Sequence, residues 1–188
     1  MLDLLIRHWV SAAGFMAAAL LALVPMLAAD WPFALLLIFL HSPGYMIHQV
    51  EEHTGDRFRS FVNDVMFGGR EALTTIDVLW VNCCAVWGID LAALYVAWIA
   101  GPAWALVAPY LMLVNSLGHI GPALRFRGYN PGLVTGIVLF IPLGLVTVLT
   151  ITATAAQHAL GLGIALLVHV VIALNAIRRA RGAGLAKA

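Results

Sequence analysis

Charged residues are scarce in this sequence, and their scarcity excludes an ordinary soluble domain. Only 10% of the 188 residues are Asp, Glu, Lys or Arg, whereas 63% are hydrophobic. A soluble domain carries charge on roughly a quarter of its residues. None of these four residue types occurs between Gly128 and Ile177. The composition therefore predicts an integral membrane protein.

Cysteine is also nearly absent, which excludes a fold held together by disulfides. The two cysteines, Cys83 and Cys84, are adjacent within an apolar run, so we expect them to be packing residues. The sequence has no internal repeat and no low-complexity segment. Its arginines are spread over several loops, so no nucleic-acid-binding surface is predicted.

Apolar runs long enough to cross a membrane make up most of the chain. One helical crossing needs about 20 apolar residues, and in lipid the backbone must form its hydrogen bonds within each segment. We therefore predict a single membrane domain over residues 1–188, folded as an all-α bundle of six transmembrane spans. The predicted spans are approximately 9–29, 31–52, 75–99, 102–124, 131–156 and 160–177.

The basic residues give the predicted orientation of these spans. In a six-span topology all ten Lys and Arg residues fall on one side of the membrane, at the N-terminus, in the 2–3 and 4–5 loops, and at the C-terminus. Basic loop residues are enriched on the cytoplasmic side. Both termini are therefore predicted to be cytoplasmic. The ten residues are Arg7, Arg57, Arg59, Arg70, Arg125, Arg127, Arg178, Arg179, Arg181 and Lys187.

The loop between spans 2 and 3 has a helical hydrophobic pattern of its own. In residues 56–69, DRFRSFVNDVMFGG, the apolar residues follow helical spacing and polar residues occupy the other face. This pattern predicts a short amphipathic helix in the membrane interface, ended by Gly68 and Gly69. Such a helix is either a surface anchor or a lid hinged at the glycines. The apolar positions are Phe58, Phe61, Val62, Val65 and Met66.

The most unusual stretch is HQVEEH, residues 48–53, at the predicted cytoplasmic end of span 2. His48, Glu51 and Glu52 stand at i, i+3 and i+4, so they are expected on one helix face. His41 lies two turns deeper on nearly the same face, and His53 points elsewhere. Ionisable groups inside a membrane are costly unless paired, and they usually mark a functional site.

Other spans bring polar residues to the same predicted depth. These are Asp77 and Asn82 of span 3, Asn115 and His119 of span 4, Asn130 before span 5 and His169 of span 6. Their convergence predicts one shared polar cavity in the cytoplasmic half of the membrane. The alternative is a hydrogen-bonded network, or side chains that reach the lipid headgroups.

Imidazole and carboxylate groups at this spacing suit a metal ion, iron or zinc. We predict His48, Glu51, Glu52 and His119 as ligands, with Glu51 or Glu52 as the catalytic base if it is not a ligand. Facing helices of a bundle commonly supply such sets. The remaining polar residues are predicted to support them, and these are His41, His53, Asp77, Asn82, Asn115, Asn130 and His169.

Three blocks in order, HQVEEH, NSLGHIG and YNPGLVTG, carry a resemblance. The chain from about His48 to Gly136 resembles the HXXEE-domain family of bacterial membrane proteins. The resemblance implies a small multi-span protein of the bacterial inner membrane with enzymatic and metal-binding functions, and it identifies no substrate. The residues that match these blocks are His48, Glu51, Glu52, Asn115, His119 and Asn130.

Three function classes remain open from the sequence. The favoured one is a metal-dependent enzyme that hydrolyses or oxidises a lipophilic small molecule or a membrane lipid. The second is a metal-free isomerase or cyclase of a lipid, with one glutamate as acid and the other as base. The third is a small transporter or cation-binding protein, which would require polar groups to continue outward through Asp90. The many Gly and Ala residues also permit a homo-oligomer.

Overall fold

The computed structural model describes residues 2–185, and every regular element in that range is helical. Six of the helices are long and apolar enough to cross a membrane. The predicted all-α, six-span architecture is thus confirmed. A short helical segment between spans 2 and 3 is present as well.

Three spans are single α-helices, and they are span 1 (Leu2–Ala22), span 2 (Phe33–His53) and span 6 (Ala155–Leu185). The others consist of consecutive helical segments, which are Thr75–Leu79, Trp80–Val86 and Trp87–Ala100 in span 3, Pro102–Ala105 and Val107–Phe126 in span 4, and Leu133–Thr135, Gly136–Phe140 and Ile141–Thr150 in span 5. The middle segments of spans 3 and 5 are π-type.

Several span boundaries differ from the predicted ones, and two of the differences have clear local reasons. Span 1 ends at Ala22, and a separate short helix, Val24–Asp30, follows with Pro25 in its first turn. Proline lacks the backbone N–H that a continuous helix would need there. Span 6 begins before residue 160, because Thr154 and Gln157 hydrogen-bond reciprocally as a capping box.

Span 2 lies at the centre of the bundle and packs against spans 1, 3, 4 and 5. In the most apolar 18-residue stretch of its helix 61% of the residues are buried. In the corresponding stretches of the other spans only 17–44% of the residues are buried. The HQVEEH stretch is therefore surrounded by protein and not by lipid. This position allows several helices to supply partners for its polar groups.

One end of the bundle collects the polar connections. Arg179 near the end of span 6 forms an ion pair of 3.1 Å with Asp77 at the start of span 3. Tyr129, between spans 4 and 5, donates a hydrogen bond to Glu51 at the end of span 2. We call this the polar end. It contains the described basic residues, whereas Lys187 lies outside the described range.

After span 2 the chain continues through Thr54–Asp56, Arg57–Ser60 and the π-type segment Phe61–Met66. We call residues 57–67 the cover segment. Asn63 fixes it to the approach to span 3, since its side chain accepts hydrogen bonds from the backbone N–H groups of Ala72 and Leu73 and donates to the Leu73 carbonyl.

Candidate metal centre

Three ionisable side chains meet near the polar end of span 2. His48, Glu52 and His119 each offer one ligand atom, and these atoms lie within 4.8 Å of one another. His48 Nε2 is 3.5 Å from one Glu52 oxygen, and His119 Nε2 is 3.6 Å from the other. All three residues are buried. Three of the four predicted ligands, from spans 2 and 4, are thus brought together in the core.

The tautomer of His48 follows from its neighbours. Its Nδ1 is 2.7 Å from the hydroxyl oxygen of Thr135. That hydroxyl donates its only hydrogen to the Glu51 carboxylate, so it accepts from His48 Nδ1–H. The lone pair of His48 is therefore on Nε2, which faces Glu52. This buried atom has no hydrogen-bond partner in the structure.

His119 is held in the same tautomer by different residues. Its Nδ1 lies 3.0 Å from Asn130 Oδ1, while Asn130 Nδ2 donates to the His119 carbonyl at 2.8 Å. Because the amide oxygen only accepts, Nδ1 of His119 must donate. Its Nε2 lone pair therefore also faces Glu52. Asn130, which the sequence predicted as a supporting residue, thus orients an imidazole.

Gly132 allows the two imidazoles to approach the start of span 5. Its φ of +94° lies in the left-handed region, which side chains rarely adopt. A Cβ at this position would lie 2.5 Å from His119 Cε1 and 2.9 Å from His48 Cε1. A glycine is therefore required both by the backbone and by the packing of the histidines.

Glu51 does not join the group of three, although the sequence predicted it as a ligand. Its carboxylate accepts hydrogen bonds from the backbone N–H groups of Val134 and Thr135, the Thr135 hydroxyl and the Tyr129 hydroxyl. These N–H groups belong to the first turn of span 5, where a negative charge is favourable. Glu51 thus caps a neighbouring helix. Partial burial and the bond to Glu51 raise the pKa of Tyr129 above its usual value.

Behind Glu52 lies a second set of polar side chains from spans 2 and 3. His53 Nε2 is 3.0 Å from a Glu52 oxygen and 3.1 Å from Asn82 Nδ2. Gln49 donates to Asn82 Oδ1 and accepts from the Trp87 indole N–H. His53 and Asn82 were predicted as supporting residues, and both lie beside the carboxylate. Their contacts restrict how Glu52 can move.

The other predicted supporting residues occupy three different settings. His41 donates to the Leu37 carbonyl within its own helix, away from the group of three. Asp77 forms a capping box with Thr74 at the start of span 3. Asn115 and His169 line a partly open cavity that reaches Glu52 and His119.

That cavity has a volume of about 540 Å³ and lies among spans 2, 3, 4 and 6 and the cover segment. Most of its lining is aliphatic or aromatic, and Phe58, Phe61, Val62 and Met66 of the cover segment contribute to it. The predicted amphipathic face therefore covers one side of the cavity, although Val65 is 48% exposed and Met66, which also lines the cavity, is 41% exposed. The size falls within the usual range of roughly 300–1,000 Å³ for ligand pockets.

Thr135, Gly132 and Tyr129 were missed as site residues. All three lie in the YNPGLVTG block, which pointed to this region without giving the role of each side chain. Only the way span 5 packs against span 2 brings Thr135 to His48. Such long-range contacts leave no spacing pattern within one sequence.

Comparison with known proteins gives one match. The profile of a family described as "Protein of unknown function with HXXEE motif" matches residues 39–147. The matched region includes the whole group of three and the residues that orient it. No curated protein and no solved structure matches the chain significantly.

Proposed function

The chain belongs to the family of proteins with the HXXEE motif, and we propose that it is a metal-dependent membrane enzyme that acts on a lipophilic substrate. The observation that carries this proposal is the convergence of His48, Glu52 and His119 in the buried core. Two imidazole lone pairs and one carboxylate face a common point there. Such a set is typical of catalytic zinc sites and of non-haem iron sites.

The residues present fit a metal ion in their chemistry. A buried polar atom is nearly always hydrogen-bonded, yet His48 Nε2 has no partner among the described residues. Metal-binding histidines usually donate their other N–H to an oxygen, as both histidines do here through Thr135 and Asn130. Ligand atoms in a tetrahedral site with bonds of about 2.1 Å are roughly 3.4 Å apart. His48 Nε2 and His119 Nε2 lie 3.5 and 3.6 Å from different oxygens of Glu52, close to that value, and the whole set of ligand atoms lies within 4.8 Å.

The protein's own residues have defined tasks in this proposal. His48, Glu52 and His119 hold the ion, which when bound would polarise a substrate oxygen or activate water, or as iron would bind oxygen. Thr135 and Asn130 keep the imidazoles in the ligating tautomer. The apolar cavity holds the lipophilic part of the substrate and excludes water from the centre.

Metal content is the direct test, and the chain offers a matched control. Purified protein loaded with zinc, or with iron(II) under anaerobic conditions, should carry about one metal per chain by mass spectrometry. His119→Gln should lose it, because the imidazole lone pair is removed. His169→Gln should retain it, since His169 lines the cavity but hydrogen-bonds only the Ala165 carbonyl. A wild type without metal, or equal loss in both variants, would refute the proposal.

A metal-free acid–base enzyme is the second candidate, and one contact favours it. His53 Nε2 is 3.0 Å from Glu52, and both residues line the cavity. A carboxylate and an imidazole in contact can exchange a proton and act as base and acid on a bound lipid. Transport has no comparable support, because it would require polar groups to continue outward through Asp90, and among the described residues no hydrogen bond links Asp90 to the polar groups of the candidate metal centre.

A further inference from the structure

Two polar atoms in the wall of the cavity have no hydrogen-bond partner within the part of the chain that the structure describes. One is the hydroxyl of Tyr45, a residue only 2% exposed, and the other is the side-chain oxygen Oδ1 of Asn115. The side chain of Tyr45 packs against Phe140, with ring centroids 4.6 Å apart. Unpaired buried polar groups are uncommon and costly. Two such unpaired atoms in one apolar cavity indicate that a bound ligand forms hydrogen bonds with them.

The two atoms belong to equivalent positions on neighbouring helices. Tyr45 precedes His48 by three residues on span 2, and Asn115 precedes His119 by four residues on span 4. Both spans run towards the polar end. Tyr45 and Asn115 are therefore each about one helical turn, roughly 5.4 Å of rise, deeper in the membrane than the candidate metal centre. Because both residues line the cavity that also contains Glu52 and His119, a ligand group that contacts them would lie about one turn from that centre.

The chemistry of these atoms selects the ligand group. Asn115 Oδ1 can only accept a hydrogen bond, so it requires a donor. The Tyr45 hydroxyl can donate, so it requires an acceptor. A hydroxyl group supplies both at once, whereas a carboxylate supplies no donor and an alkane supplies neither.

Charge argues against an anionic lipid. No Lys or Arg is among the residues that line the cavity, whereas Glu52 and Asp77 are. A fatty acid or a lipid phosphate held between Tyr45 and Asn115 would thus bury its charge beside two carboxylates and without a Lys or Arg side chain to offset it, which is unfavourable. The remaining aliphatic and aromatic lining is suited to a hydrocarbon chain.

We infer that the cavity binds a neutral long-chain alcohol, with its hydroxyl between Tyr45 and Asn115 and its chain along the apolar wall. This inference rests on the proposed function, because it names the class of substrate presented to the metal centre. Tyr45 and Asn115 would then decide specificity for an uncharged, hydroxyl-bearing lipid.

Binding of tritiated hexadecanol to the detergent-purified full chain tests the inference. Scintillation proximity should show saturable binding in EDTA as well as with zinc. Unlabelled hexadecanol should compete at least tenfold better than hexadecanoate or hexadecane. Tyr45→Phe and Asn115→Leu should each weaken binding about fivefold, as expected for one lost hydrogen bond.

Tyr95→Phe is the matched control, because Tyr95 is 60% exposed on span 3 and is not part of the cavity. It should bind hexadecanol like the wild type. If Asn115→Leu does not fold, Tyr45→Phe, which removes only a hydroxyl, decides alone. Absence of saturable binding, equal competition by hexadecane, preference for hexadecanoate, or an unchanged Tyr45→Phe variant would overturn the inference.

The metal assay separates the two proposals. Hexadecanol bound by a chain that takes up no metal would remove the metal-dependent function and leave the ligand class standing. Metal bound at one per chain without hexadecanol binding would remove the ligand class alone.

Discussion

The two adjacent glutamates of the motif act on different neighbours. Consecutive residues of a helix are rotated by roughly 100° about its axis. Viewed along the axis, Glu51 therefore lies to one side of His48 and Glu52 to the other. On a surface helix both would share one solvent-facing stripe. Span 2 is central, however, so Glu52 faces His119 of span 4 while Glu51 faces the start of span 5.

Exchanging each glutamate for glutamine should therefore separate metal binding from stability. Glu52→Gln should reduce the amount of bound metal at least tenfold, because a carboxylate ligand is lost. Glu51→Gln should retain the metal and lower the free energy of unfolding by about 1–2 kcal/mol, because the capping charge of span 5 is lost. Metal analysis and denaturant unfolding of both variants measure these effects. Loss of metal in both variants alike would contradict this division.

Thr135 links the capping glutamate to a ligand, so its hydroxyl should influence metal affinity. Thr135→Val keeps the side-chain shape but removes the acceptor for His48 Nδ1–H. Residues that orient a metal ligand commonly contribute 10–100-fold to affinity, so a loss of that order is expected in competition with a chelator dye.

Thr147→Val is the matched control for this measurement. The Thr147 side chain is buried, whereas Thr135 is half-buried, and the Thr147 hydroxyl donates only to the Leu143 carbonyl of its own helix. The affinity of the Thr147→Val variant for metal should equal that of the wild type. Equal affinities in all three proteins would show that Thr135 does not position His48.

At the scale of elements, the sequence was sufficient to predict the features that depend only on the spacing of nearby residues. Hydrophobic length predicted six helices, and helical spacing predicted the cover segment. It could not show that Phe58 and Phe61 face inwards, because an apolar face fits lipid and protein equally well. The same limit applied to Asn130, whose place before Pro131 is compatible with a helix cap until span 4 is packed beside it.

The turn before span 5 is the element on which the centre depends most. Gly132→Ala should lower the free energy of unfolding by roughly 1–2 kcal/mol because of the left-handed backbone alone. The clash of the new Cβ with His119 should lower it further. Lower metal affinity and a lower unfolding temperature are expected together. Gly163→Ala is the control, because a Cβ there meets nothing within 4 Å and alanine favours a helix.

At the scale of the molecule, the candidate metal centre and the cavity are near one end of the bundle. The same end carries the described arginines, the ion pair between Arg179 and Asp77, and the cover segment. If basic residues face the cytoplasm, a lipid would reach the centre from the inner leaflet. The orientation of the bundle therefore decides which membrane leaflet supplies the substrate.

Cysteine labelling in intact cells should establish this orientation. Ser60 and Thr152 are exposed hydroxyl residues at opposite ends of the bundle, and Cys83 and Cys84 can first be changed to serine. A membrane-impermeant maleimide should label Thr152→Cys in intact cells, but Ser60→Cys only after permeabilisation, because the positive end stays in the cytoplasm. The reverse pattern would place the candidate metal centre in the outer leaflet, where a substrate would have to enter from outside the cell.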